Sequence, residues 1–125
     1  MPVRYIQDDV RRLIHARIWD PVAAPSELFT IADHQAVEGT WRYSVVLDLR
    51  DLTQPASPDD IGQLVAHERR LQHVHGRRGP VATVADVGSG GYEMARLYEA
   101  LAERVGLEVA AFTTIAQAEA WLSAR

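Results

Sequence analysis

Between residues 81 and 105 the spacing of apolar side chains changes period once, from the near-continuous run of a buried strand to the three-and-four step of an amphipathic helix. Val81, Val84 and Val87, with Ala82 and Ala85 between them, predict a strand covered on both faces, as in the parallel sheets of α/β domains. Met94, Leu97, Tyr98, Leu101, Ala102 and Val105 predict a helix whose single stripe covers that sheet. Gly88-Ser89-Gly90-Gly91 marks the turn between the two.

The other segments read as packing around this unit. Residues 3–7 and 10–19 predict an antiparallel hairpin about a tight Asp8-Asp9 turn, with Ile14, Ala16 and Ile18 on one face and Leu13, His15, Arg17 and Trp19 on the other. Pro21 and Pro25 end the hairpin and lead into a helix over 26–37, made apolar on one side by Leu28, Phe29, Ile31 and Ala32 and stopped by Gly39. Residues 43–49, YSVVLDL, predict a central strand that delivers Asp48 and Asp51 at or just past its carboxyl end. After Pro55, Ser57-Pro58-Asp59-Asp60 combines a capping hydroxyl, a proline at the first helical position and carboxylates near the positive end of the helix.

That helix turns Ile61, Leu64, Val65 and Leu71 inward and closes on Arg69, Arg70, His73 and His75 before Gly76, with residues 77–80 as a turn. The stripe helix ends at Val105-Gly106-Leu107, a Schellman-type close. A short strand over 109–112 follows. Thr114 and Gln117 then predict a capping box for a last helix that buries Ile115, Ala118, Trp121 and Leu122. The order β-β-α-β-α-β-α-β-α gives an α/β fold, a mixed sheet of about five strands with right-handed crossovers and helices on its faces.

Composition narrows the function more than it names it. The 125 residues suit one domain spanning 1–125, and 24% charged with 47% hydrophobic residues is a globular balance. A net charge of -4 disfavours generic nucleic-acid binding, which needs a basic surface to displace counterions from phosphate. Cysteine is absent, which removes disulfides and thiol nucleophiles. The 13 basic residues are all arginine, so Schiff-base and Walker-type lysine chemistry are removed too. No apolar run reaches the ~20 residues of a membrane span. With no signal-like run behind Met1-Pro2-Val3-Arg4, the expected location is cytoplasmic.

Three segments, VVLDLRDL with its capped helix, GYEMARLYEAL behind a strand, and VAAFTTIAQAEAWL, together resemble the bacterial SpoIIAA-like domains, a STAS/Sec14-type family. The resemblance covers nearly the whole chain, most fully residues 43–122. It implies a STAS-like sheet and a non-enzymatic regulatory domain akin to the anti-sigma-factor antagonists. In those proteins a phosphorylated serine opens the helix after the third strand. Laying Ile61-Gly62 on the Leu-Gly that follows the motif puts Pro58, Asp59 and Asp60 where Ser-Ser-Gly should stand. No phosphoacceptor remains there, and Ser57 is committed to capping, with two carboxylates nearby to repel a phosphate.

Candidate chemistry gathers where the 51–57 and 88–92 loops would face each other at the carboxyl ends of parallel strands. Asp48, Asp51, Ser57, Gly88, Ser89, Gly90, Gly91, Tyr92 and Arg96 are the candidate ligand-binding residues, the glycine turn offering backbone N–H groups to an anion. Set against this, a glycine turn is often only a flexible turn, Tyr92 a packed ring and Arg96 a solvated cation. His67-Glu68-Arg69-Arg70-Leu71 lacks the second histidine of a zinc-protease helix, and His73 and His75 fit a helix end better than a metal. Arg69, Arg70, Arg77 and Arg78 read as a solvated face, or as a contact for an acidic partner or a phosphate.

Two binding roles follow. One is a regulatory protein partner, which predicts an exposed apolar or arginine-rich patch near the second long helix. The other is a small anionic or lipid-like ligand in the crevice, as in Sec14-type relatives. An enzyme would need an unusual pair such as Asp48 with Tyr92 or Ser89, and neither cofactor nor metal is expected. The first hairpin leaves a sheet edge that a second copy could cover, giving a homodimer.

Overall fold

A computed structural model of the chain describes residues 3–20, 25–54 and 56–125. Pro21 and Pro55, read above as breakers, lie outside the described residues. The elements are β1 (Val3–Asp8), β2 (Leu13–Ile18), a 3₁₀ helix (Pro25–Phe29), α1 (Thr30–Glu38), β3 (Ser44–Asp48), α2 (Pro58–His75), β4 (Val81–Val84), α3 (Gly90–Glu103), β5 (Val109–Phe112) and α4 (Ile115–Ser123). The strands form a single sheet in the order β1-β2-β3-β4-β5, with β1 antiparallel to β2 and every other pair parallel. The α/β class and the mixed five-strand sheet expected from the alternating pattern are therefore what the chain adopts.

Side-chain alternation divides the core between the two faces. Ile14, Ala16, Ile18, Val45, Leu47 and Val81 face the layer made by α1, α2 and α3, meeting Ile31, Ile61, Leu64, Val65, Met94, Ala95 and Tyr98. Leu13, Val46, Ala82 and Val84 point the other way and are covered by Ala118 and Leu122 of α4. Helix ends follow their capping chemistry. Ser57 caps α2 in a full capping box with Asp60, and Gly39 closes α1 at a φ of 74°. Leu107 and Gly106 donate N–H to the carbonyls of Ala102 and Glu103, the Schellman close of α3.

Four local expectations shift. The first hairpin turns over residues 9–12 instead of at Asp8-Asp9, with Asp8 Oδ1 accepting from Arg11 N–H and Arg12 at a φ of 52°. The segment over 26–37 is a 3₁₀ turn followed by α1. β4 stops at Val84, leaving Val87 77% exposed, because the glycine turn begins directly after Ala85. At α4, Thr114 Oγ1 accepts from Gln117 N–H, yet Gln117 Oε1 reaches back to Thr113, one residue before the cap.

Glycines discriminate tight from loose packing. A Cβ on Gly79 would collide with the carbonyl oxygens of Arg42 and Tyr43, where the α2–β4 turn crosses the entry to β3. One on Gly62, in the second turn of α2, would meet nothing within 4 Å. Gly79→Ala is accordingly expected to destabilise by about 1–3 kcal/mol. Gly62→Ala is expected to stabilise by about 1 kcal/mol through helix propensity. Urea unfolding of both variants checks the pair, and equal shifts of the same sign would refute the contact geometry.

Candidate functional site

Parallel pairing carries the carboxyl ends of β3 and β4 to one rim of the sheet, and the loops after them touch there. Gly91 makes this possible. The position its Cβ would take lies 3.3 Å from the Leu49 carbonyl oxygen and 3.5 Å from that of Leu52, so a larger residue would push α3 off the β3–α2 loop. A second tie is the N–H of Ala56, 3.3 Å from the Met94 sulfur.

At this rim the polar side chains named from sequence are each engaged by a neighbouring group. Asp48 receives the Arg50 guanidinium through both oxygens, at 2.9 Å each, and the Arg50 N–H at 3.1 Å. Asp51 pairs with Arg17 on β2. Ser57 Oγ accepts from Asp60 N–H at 3.1 Å, and Ser89 Oγ accepts from Tyr92 N–H while donating to the Asp86 carbonyl at 2.6 Å. Gly88 holds a φ of 78°, and Gly90 and Gly91 belong to the first turn of α3. Tyr92 packs its ring against the core, and Arg96 faces Glu99 at 3.7 Å. Asp20, unnoticed in the sequence, accepts from Thr53 and Gln54 backbone N–H groups and from the Thr53 hydroxyl, pinning the loop to the end of β2.

What stays open between the loops is a recess of about 220 Å³ lined by Ala56, Pro58, Gly90, Glu93, Met94 and Leu97. Of the residues named from sequence, Gly90 lines it. Beneath the helix layer lies an enclosed cavity of about 30 Å³, on the scale of a single water.

Glu68 and Arg78 border that cavity, and they overturn the picture of residues 69–78 as one solvated arginine face. Arg78 is 6% exposed and Glu68 1%. The two form an ion pair, with Tyr98 O–H donating to Glu68 Oε1 at 2.6 Å and Arg78 Nη2 donating to Gln35 Oε1 at 2.7 Å. The Trp41 ring lies 5.2 Å from the guanidinium carbon, and its indole N–H donates to the Gly76 carbonyl at 2.7 Å. Burial pulls the Arg78 pKa down and pushes the Tyr98 pKa up. The signal was present in the spacing. Glu68 continues the Ile61, Leu64, Val65 stripe by one more step, a charge on a buried face that requires a partner.

The remaining arginines of this region divide. Arg77 pairs with Glu108, whereas Arg69, Arg70 and Arg104 have no ion pair among the described residues. They border a groove of about 500 Å³ between α2 and α3, whose lining also takes in Val65, Ala66, Leu101 and Val105. His67 is used elsewhere, 2.5 Å from Asp33 and stacked on Phe29. No cluster of metal-ligating side chains occurs among the described residues, and no helix there is long and apolar enough to cross a membrane.

No protein-family model matches the chain, and neither the curated proteins nor the solved structures searched include a match.

Two measurements test these assignments. Glu68→Gln should cost about 3–5 kcal/mol by leaving a buried guanidinium without its counter-charge, whereas the apolar pair Glu68→Leu with Arg78→Met should cost far less than the sum of its single changes. Chemical denaturation of all four chains reads the difference. Asp48 gives the pH test. Burial raises its pKa, but the hydrogen bonds and charge of Arg50, joined by the charge of Arg17, outweigh burial and hold it below the ordinary value. A carboxyl depressed on folding stabilises above its unfolded pKa, about 4, and that contribution is lost as pH falls through the folded value. Asp48→Asn should therefore lose less stability than the parent chain between about pH 6 and pH 3. Parallel curves would refute the role.

Proposed function

We propose that this chain is a STAS-like, non-enzymatic regulatory domain that works by binding a protein partner, without a phosphoserine switch. The observation that carries the reading is the groove beside α2, apolar in its floor and bordered by arginines that form no ion pair among the described residues. It fits the exposed apolar or arginine-rich patch that the partner reading anticipates near the second long helix. The rim supports the same reading from the other side. Ser57 and Ser89 hold helix ends, and Asp48 and Asp51 hold arginines, so these four side chains are engaged in holding the structure. Pro58 and Asp59 stand where the serines of the resembled family would lie, and Asp60, in the place of its glycine, is half of a capping box.

A second reading, a small anionic or lipid-like ligand at the rim, is favoured by the 220 Å³ recess between Ala56 and Gly90. Its volume falls short of the ~300–1,000 Å³ of ordinary ligand pockets, and Glu93 in its wall opposes an anion.

Affinity capture from a native lysate on the immobilised full chain, followed by calorimetry with the protein retained, tests the proposal. The expected result is a saturable complex that Ser57→Ala leaves intact while lowering stability by about 0.5–2 kcal/mol through loss of the cap. No retained protein, together with a thermal shift on adding myristate or inorganic phosphate, would transfer support to the ligand reading.

A further inference from the structure

We infer that the α2–α3 groove docks an acidic amphipathic helix of a partner protein. The inference rests on the protein-binding reading above and names the chemistry of that partner. The floor is set by Gly62, Val65 and Ala66 of α2 with Leu101 of α3 and Val105 just beyond it; Val65 is buried, Gly62, Leu101 and Val105 are half-buried and Ala66 is exposed, so the carbon surface still open gains by being removed from water. Arg69, Arg70 and His73 stand along one border and Arg104 along the other, all exposed. Arg17, Arg50, Arg77 and Arg78 all find carboxylates within the chain, whereas Arg69, Arg70 and Arg104 form no ion pair among the described residues. In a protein with a net charge of -4, a trough flanked by unpaired cations is a local inversion of sign. Such an inversion selects an acidic occupant and steers its approach.

Gly62 supplies an independent indication. Glycine inside a helix weakens it, and a Cβ on Gly62, in the second turn of α2, would touch nothing within 4 Å, so no contact among the described residues accounts for it. Its place in the groove lining does: the missing side chain lowers the α2 surface where a rod-shaped occupant would lie. An incoming helix meets both requirements at once, with apolar residues at i, i+3, i+4 and i+7 on the floor and carboxylates along its flanks. A concave trough between two helices suits such a rod better than the flat surface of an anionic bilayer.

The probes are two fluorescein-labelled peptides of about 16 residues, long enough to populate a helix. One carries leucines at i, i+3, i+4 and i+7 with glutamates elsewhere, and the other has lysine in place of each glutamate. Fluorescence anisotropy with the full chain should show the acidic peptide binding, weakening with added salt, and losing at least about tenfold in affinity with the Arg69→Glu, Arg104→Glu double variant. Gly62→Leu, which fills the trough, should reduce binding while leaving the thermal midpoint at or above that of the parent. The inference is overturned by no binding of the acidic peptide, by equal binding of the lysine peptide, or by an unchanged affinity in the double variant. Phosphatidylserine vesicles that bind the chain in place of the acidic peptide would overturn it in favour of a membrane surface. A lysate protein retained equally by the parent and by the double variant would remove the groove assignment yet leave the partner reading standing. A parent chain that retains none would remove that reading itself.

Discussion

The Glu68–Arg78 pair is the constraint around which the helix layer is arranged. A guanidinium taken out of water must have its N–H groups answered, and here the answers come from three separate helices: Gln35 of α1, Glu68 of α2 and Tyr98 of α3. Apolar contacts alone tolerate sliding, since one methyl packs about as well against another. Directed bonds to a single buried cation do not. They fix how far α2 and α3 stand from β4 and from each other, and Trp41 closes the remaining side while bonding the end of α2 through Gly76. Net stabilisation from such a pair can be small, because desolvation offsets much of the attraction. Its effect here is to select one arrangement of the layer.

At the rim the same logic runs with exposed groups. Parallel pairing brings the loops after β3 and β4 together whatever their chemistry, and the residues there have been used to hold the loops still. Asp20 gathers the backbone of Thr53 and Gln54, Arg17 reaches across from β2 to Asp51, and Arg50 folds back onto Asp48. A crevice built this way is a closed seam with a shallow recess. Glycine acts there through absence of volume: Gly91 lets α3 approach the Leu49 and Leu52 carbonyls.

The outer surface of the helix layer is organised differently. On the inner side of α2, Glu68 is matched by a cation; on the outer side, Arg69 and Arg70 are matched by no anion among the described residues. Adjacent residues of one helix thus serve opposite purposes, because successive helical positions are turned by about 100° and face different media. The resemblance to anti-sigma-factor antagonists places a regulatory phosphate at the start of this helix, but Pro58, Asp59 and Asp60 occupy that place here. In the partner-binding role proposed above, control would reside in the surface chemistry of α2 and α3 rather than in a covalent mark.

The chain's own periodicities determined the element order, the central strands, the capped start of α2 and the Schellman close of α3, because each depends on residues within a few positions of one another. Local spacing also placed the 51–57 and 88–92 loops at one rim, since parallel strands leave no other choice. The pairing of long-range partners was not legible. Asp51 stands 34 residues from Arg17 in sequence, and Arg78 lies 43 from Gln35. Nothing in the run HGRRGP distinguishes the arginine that turns inward from the one that meets solvent. Only the tertiary structure decides that, because burial of a charge depends on whether distant helices deliver its partners to the same point, and that is a property of the packed layers and not of any one stretch.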